Sequence, residues 1–333
     1  MIGEKVSEGP TPTTVPGSPV SLGPTVGESA VEGRYVLDRE IGQGGMGRVY
    51  EGRDRLLVRT VAIKTTRDPR GTHRFEQEVR LAARLQHPGI VTVYDAGFFS
   101  TGEPFLVMKR ILGQSLSKVI SDAETLADRL ALLPSLIAAA DAVAYAHDQG
   151  VIHRDLKPGN ILVGAFGETV VVDFGLAKDL SSTEGTSGGG ASAGLGLTQD
   201  GTVMGTPPYM APEQSAGDPV DARADVYALG AVIFHGLSGQ PPAPDHRLEQ
   251  LEPRVPAPLL AIVEKAMATD KGQRYPTAFE LSEDLRRFHA GQWVAAQGYS
   301  LPTHARGIAR RHGLWLGVGI GVAATLLLRW LFG

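Results

Sequence analysis

The chain has 333 residues, with 32 Lys and Arg against 36 Asp and Glu, for a net charge of -4. That length suits about two domains, and the balance offers no basic field to attract nucleic acid. Cysteine is absent, which excludes a disulfide framework and a thiolate metal centre.

Residues 1–32 hold Pro10, Pro12, Pro16, Pro19 and Pro24 among many Ser, Thr and Gly, with no aromatic. So little apolar surface cannot offset chain entropy, and the segment is predicted to be disordered. It has no basic start followed by an apolar core, so it is not a secretory signal. Residues 35–41 and 47–53 alternate like strands around G-Q-G-G-M-G-R-V, residues 42–49. No helix signal follows that turn, which separates it from a dinucleotide-binding loop. A hairpin lid, in which missing side chains let backbone N–H groups approach a phosphate, fits better.

Residues 60–64, T-V-A-I-K, form a β-branched run that delivers Lys64. Residues 72–86 carry Phe75, Val79, Ala82, Ala83 and Leu85 at helical spacing, and His87-Pro88-Gly89 stops that helix. Two more strands are predicted at 91–99 and 104–109. Beyond Gly113 the chain turns mainly helical. Leu126, Leu130, Leu133, Ile137, Ala140 and Ala144 make a buried stripe, with Pro134 inside it predicting a bend or a late start. Further helices are expected at 221–239, 259–268 and 276–288. Residues 181–201 are dominated by Ser, Thr, Gly and Ala, the composition of a loop.

The densest chemistry lies at residues 151–175. Asp155 and Asn160 fall in a loop, and Asp173 follows an apolar run. A hairpin of 161–163 with 169–172 would bring Asn160 and Asp173 to one end. Two oxygen donors there suit Mg²⁺. H-R-D-L-K-P-G-N at 153–160, D-F-G at 173–175 and A-P-E at 211–213 together resemble the catalytic core of the protein kinase superfamily, and of bacterial eukaryotic-like serine/threonine kinases within it. The resemblance covers about residues 35–289. It implies an α+β, two-lobed fold: a five-stranded antiparallel N-lobe with one main helix (33–110) and a mainly helical C-lobe (111–291).

The roles below are what the resemblance implies. Ile41, Gly42, Gln43, Gly44, Gly45, Met46, Gly47, Arg48 and Val49 cover the ATP phosphates and adenine. Lys64 neutralises the α/β-phosphates and is held by Glu78, with Glu76 the near competitor. Val49, Ala62 and Leu162 sandwich adenine, Met108 closes the pocket's back, and Lys109 and Ile111 offer backbone hydrogen bonds. The Lys109-Arg110 pair departs from the acidic residue usual at the first position, and Ser115 stands where a ribose-binding acid is common. Asn160 and Asp173 hold Mg²⁺, with Mn²⁺ as an alternative. Asp155 takes the hydroxyl proton and Lys157 steadies the γ-phosphate. Asp225 braces the loop at 153–155, and Arg274 pairs with Glu213. Lys157 and Thr206 point to Ser/Thr acceptors on protein substrates. Arg154 is a buried cation awaiting a phosphothreonine on the regulatory activation segment that A-P-E closes, Thr202 first and Thr198 second, with Thr206 also on that segment. Residues 242–255 are shorter than in bacterial relatives, which puts substrate docking in question.

Residues 313–333 read G-L-W-L-G-V-G-I-G-V-A-A-T-L-L-L-R-W-L-F-G, preceded by Arg306, Arg310, Arg311 and His312. Residues 313–332 are predicted to cross a membrane as a helix of about 30 Å, with 292–312 a basic linker on the cytoplasmic side. A buried core helix is the alternative. The expected place is therefore the inner or plasma membrane, single-pass, with the kinase-like part cytoplasmic. Gly313, Gly317, Gly321 and Thr325 form a small-residue stripe that would allow a homodimer. A tethered pseudokinase scaffold is the rival reading. It would normally have lost Lys64, Asp155 or Asp173, and all three are present.

Overall fold

The structure, a computed structural model, describes residues 33–44, 47–65, 79–174, 178–179, 206–243, 251 and 255–298. The expectations for residues 1–32, Gly45, Met46, Glu76, Glu78, Thr198, Thr202 and the helix at 313–332 lie outside these residues, as does most of 242–255.

The N-lobe sheet is built from β1 (Tyr35–Gly44), β2 (Gly47–Asp54), β3 (Arg59–Thr65), β4 (Val93–Phe98) and β5 (Pro104–Lys109). All neighbours pair antiparallel, in the order β1-β2-β3-β5-β4. Strand alternation gives the sheet two different faces. Tyr35, Val61, Ile63, Phe105 and Val107 pack on one. Ala62, Leu106 and Met108 pack on the other, with Ile111, Val91 and Val170 and the partly buried Val49 and Leu162. Residues 79–84 are helical (α1), and Leu81 and Leu85 bury into the C-lobe core.

The C-lobe follows through β6 (Gly113–Ser115), α2 (Leu116–Asp122), α3 (Leu126–Leu130) and α4 (Leu133–Asp148). The predicted stripe over 126–144 is two helices. Thr125 and Asp128 form a capping box for α3. The chain then turns at residues 131–132, and α4 opens with Pro134 in its first turn, where the missing N–H has no helical partner to lose. This late start is one of the two outcomes expected from that proline. Among the described residues, only the stretch Leu126–Asp148 is long and apolar enough to cross a membrane, and α4 is part of the C-lobe core.

Next come β7 (Val151–Ile152), β8 (Ile161–Gly164), β9 (Thr169–Val171), the two-residue β10 (Lys178–Asp179), α5 (Pro212–Ala216), α6 (Arg223–Ser238), α7 (Ala257–Ala266) and α8 (Ala278–His289). α6 is buried along nearly its whole length, as its apolar sequence predicts. The expected domain boundary at 291 falls too early. Val294 and Ala296 are fully buried in the core, and the buried Asp284 accepts the N–H groups of Ala295 and Ala296, each at 2.9 Å. Those amides would be orphaned away from α8, so the packed lobe runs on through Ala296.

Candidate active site

The hairpin expected at the heart of the site is β8 with β9. Ile161 pairs with Val171, and Val172 donates its N–H to the Asn160 carbonyl at 2.9 Å. Asn160 and Asp173 therefore leave the same end of one ladder. Backbone hydrogen bonds help tie the N-lobe to this hairpin. Val91 donates to the Val171 carbonyl at 3.0 Å, and Val171 donates to that of Gly89 at 2.8 Å.

The loop between β7 and β8 carries Asp155, which three side chains grip. Lys157 Nζ donates to Oδ2 at 2.7 Å, Asn160 Nδ2 to the same oxygen at 3.3 Å, and Thr206 Oγ1 to Oδ1 at 3.2 Å. Lys157 Nζ also donates to Thr206 Oγ1 at 3.0 Å. Thr206, expected on the regulatory segment, thus has its hydroxyl at the Asp155 carboxylate. Asn160 further donates to the Asp155 carbonyl at 2.8 Å, which spends its amide N–H₂ and leaves Oδ1 as the donor for a cation.

Asp173 Oδ1 accepts Lys64 Nζ at 2.7 Å. Burial pushes the Asp173 carboxyl up, but the charge and hydrogen bond of Lys64 outweigh this and hold it below its ordinary value. Asp173 is also one of the non-glycine residues at positive φ, 66°, a strained conformation that the surrounding bonds must hold. Asn160 and Asp173 offer oxygen donors only, at one sheet end and next to an ammonium, so they fit a hard divalent cation that keeps water and phosphate ligands.

His153 connects the two loops. It is fully buried, its Nε2 lies 3.1 Å from the Val172 carbonyl, and its Nδ1 accepts the Asp155 N–H at 3.3 Å. That pair of contacts fits a neutral ring protonated on Nε2. The ring packs on Phe174 with centroids 4.6 Å apart, and Phe174 shares a cluster with Leu81 and Leu85 next to the predicted Glu78 helix. From below, Asp225 accepts the N–H of His153 at 2.7 Å and of Arg154 at 2.9 Å, as expected. Its third partner, His147 Nε2 at 2.8 Å, was missed. Its only trace in the sequence was a histidine in the last turn of that helix.

Arg154 has φ 69°. Burial lowers the pKa of its guanidinium, partly offset by Asp225, and its Nε has no hydrogen-bond partner among the described residues. Glu213 and Arg274 pair as expected, at 2.6 and 2.7 Å. On the nucleotide side Val49, Ala62, Met108, Ile111 and Leu162 fall in one apolar cluster. The Lys109 N–H is taken by the Thr92 carbonyl at 2.9 Å, so Lys109 has its carbonyl to offer. Ser115 caps α2 by accepting the Lys118 N–H at 3.3 Å, a structural duty in place of a ribose contact. Ile41, Gly42, Gln43, Gly44, Gly47 and Arg48 lie on the β1–β2 hairpin.

Residues 35–293 match the protein kinase domain family. The chain is 38% identical over 283 residues to serine/threonine-protein kinase PknB of Mycolicibacterium smegmatis, covering 78% of this chain and 43% of that protein. A probable serine/threonine-protein kinase of Streptomyces coelicolor, SCO3848, is 35% identical over 288 residues, 79% of this chain and 41% of that one. The chain therefore spans less than half the length of these relatives. Among solved structures, the kinase domain of Mycobacterium tuberculosis PknI is 28% identical, with a TM-score of 0.58 over 76% of this chain and 96% of that one. Fold, catalytic-loop geometry and sequence agree, and the chain belongs to the protein kinase domain family.

Proposed function

We propose that the protein is an ATP-dependent serine/threonine protein kinase, anchored by its C-terminal helix with the kinase domain in the cytoplasm. The carrying observation is the grip on Asp155 by Lys157, Asn160 and Thr206. These bonds fix the carboxylate between the nucleotide cleft and the end of the activation segment. Such a group aligns a Ser or Thr hydroxyl and takes its proton as the oxygen attacks the γ-phosphorus. The bond to the bridging oxygen breaks and ADP leaves. Lys157 steadies the transferring phosphoryl group. Lys64, paired with Asp173, would neutralise α/β-phosphate charge, with Glu78 as its further support. Bound Mg²⁺, or Mn²⁺, would neutralise charge on the β- and γ-oxygens, and Asn160 and Asp173 are the residues to hold it.

The test is incubation with labelled ATP, divalent cation and a protein acceptor. The parent is expected to label Ser or Thr. Asp155→Asn should transfer about 10²- to 10⁴-fold more slowly while binding nucleotide equally well. Equal labelling by both would remove the assignment, and no labelling by the parent would favour the scaffold.

We further propose that the chain is switched on by autophosphorylation of its activation segment, in trans between copies paired through Gly313, Gly317, Gly321 and Thr325. The Arg154 Nε, which has no hydrogen-bond partner among the described residues, supports this, since a phosphothreonine would supply a charge-assisted bond there. Thr202→Ala is expected to lower activity several-fold, read as initial rate beside phosphate mapping of residues 198–206. Full activity with no phosphate there would count against the switch.

A further inference from the structure

Arg39, Glu51, Ala62 and Met108 are successive register partners across β1, β2, β3 and β5. Residues directly opposite across a ladder share a face, and Ala62 and Met108 face the apolar nucleotide cluster. The Glu51 carboxylate therefore leaves the sheet on the nucleotide side, two residues along β2 from Val49. Its Oε1 accepts Arg39 Nε at 2.9 Å, and its Oε2 accepts Arg110 Nε at 3.0 Å. Arg110 is the first residue after β5, in the connector between the lobes, and its Nη1 donates to the Ile111 carbonyl. The Glu51 and Arg110 side chains are each only 19% exposed.

One carboxylate thus joins both lid strands to the connector. The connector's own backbone is held by the same guanidinium, beside the amide that would face adenine. An isolated surface ion pair contributes little. This one crosses from the β1–β2 hairpin to the connector between the lobes, beside the cluster that Val49 and Ala62 help form.

We propose that Glu51 and Arg110 are positioning residues for the nucleotide, a bridge that holds the lid strand to the hinge before ATP arrives. Preorganisation of this kind improves affinity by reducing what must be ordered on binding, mostly through slower release. The inference rests on the reading of this cleft as a nucleotide site.

The experiment is calorimetric titration of Mg²⁺-ATP into the full chain in detergent, with Glu51→Gln, Arg110→Gln, the double variant and Asp38→Asn. Asp38 pairs with Arg53 farther out on the same hairpin, at 2.9 Å, and serves as the control. Each single variant is expected to weaken binding about three- to fivefold. The double should be no worse than the weaker single, and Asp38→Asn unchanged. In turnover assays the loss should fall on the KM for ATP, with kcat and the KM for the protein acceptor unaltered. Unchanged affinity in both singles, additive losses in the double, or an equal loss in Asp38→Asn would each overturn the bridge. Nucleotide binding by the parent without phosphate transfer would refute the kinase reading alone, because the affinity cycle does not use turnover. A parent that binds no nucleotide would overturn both.

Discussion

Asp225 is 1% exposed, yet its carboxylate serves three donors from two segments: His147 on α4 and the His153 and Arg154 amides. Burial alone would push its pKa up, but the His147 hydrogen bond and the His153 amide help hold it below the ordinary range. The benefit goes to the loop above, because Arg154 sits in a left-handed conformation at φ 69° that a long side chain disfavours. Two oxygens bonding three donors are what make that conformation hold. Asp225→Asn would turn an N–H₂ group toward one of those donors, leaving it unsatisfied in the core. The expected result is a loss of about 2–4 kcal/mol in denaturant unfolding. A fall in kcat larger than the change in KM for ATP should accompany it, since the bracing acts on Asp155 and not on the nucleotide cleft. Equal effects on both kinetic constants would assign Asp225 to stability alone.

At the level of elements, the ion-pair network at the start of β1 shows how the N-lobe is stitched. Arg34 donates to both oxygens of Asp54, each at 3.0 Å, and to Asp95 at 3.0 Å. Arg59 approaches Asp54 and stacks over the Tyr94 ring, 3.6 Å from its centroid. The Asp54 side chain is fully buried. The Arg34 bonds, opposed by burial and aided by the Leu57 and Leu56 amides, bring its pKa down to about 2. A carboxylate depressed in the folded state stabilises above its unfolded pKa of about 4 and loses that contribution as pH falls through about 2. The parent should therefore lose on the order of 2 kcal/mol between pH 4 and 2 through this group. Asp54→Asn should be less stable at pH 7 and show a shallower acid slope, measured by urea unfolding across that range. Little of this network was legible in the sequence, because its partners are 20 and 61 positions apart and only the sheet brings them together. The strands and helices themselves were legible from alternation and apolar spacing, and the residues that meet in the candidate site from motif order. Local pattern could not show the Glu51–Arg110 contact, though Arg110 stood out beside Lys109. Nor could it show that residues 294–296 pack, since W-V-A-A has no period and its anchor, Asp284, lies one helix back.

Across the whole molecule, the two lobes meet at a site that is held from the base as much as from the cleft. Arg274 is fully buried and grips both oxygens of Glu213, and it also donates to the carbonyls of Ala268, Thr269 and Arg223. One guanidinium therefore gathers α5, the start of α6 and the turn after α7. Glu213 in turn ends the segment that carries Thr206 to Asp155, and Gln214 beside it donates to the Arg154 carbonyl at 2.8 Å. Breaking the pair from one side strands the other charge, so Arg274→Leu is expected to cost about 3–5 kcal/mol. Replacing both partners with leucine removes the stranded carboxylate and should recover part of that stability in thermal or urea unfolding. The recovery cannot be complete, because three carbonyls lose their donor as well. Activity should behave differently from stability. With α5 no longer fixed to α6, the Thr206 hydroxyl loses its seat against Asp155, and the double variant should fold yet turn over at least about tenfold more slowly. A double variant with parental kcat would show that the pair serves folding only, and that the segment from Thr206 to Glu213 is positioned by Gln214 and the catalytic loop instead.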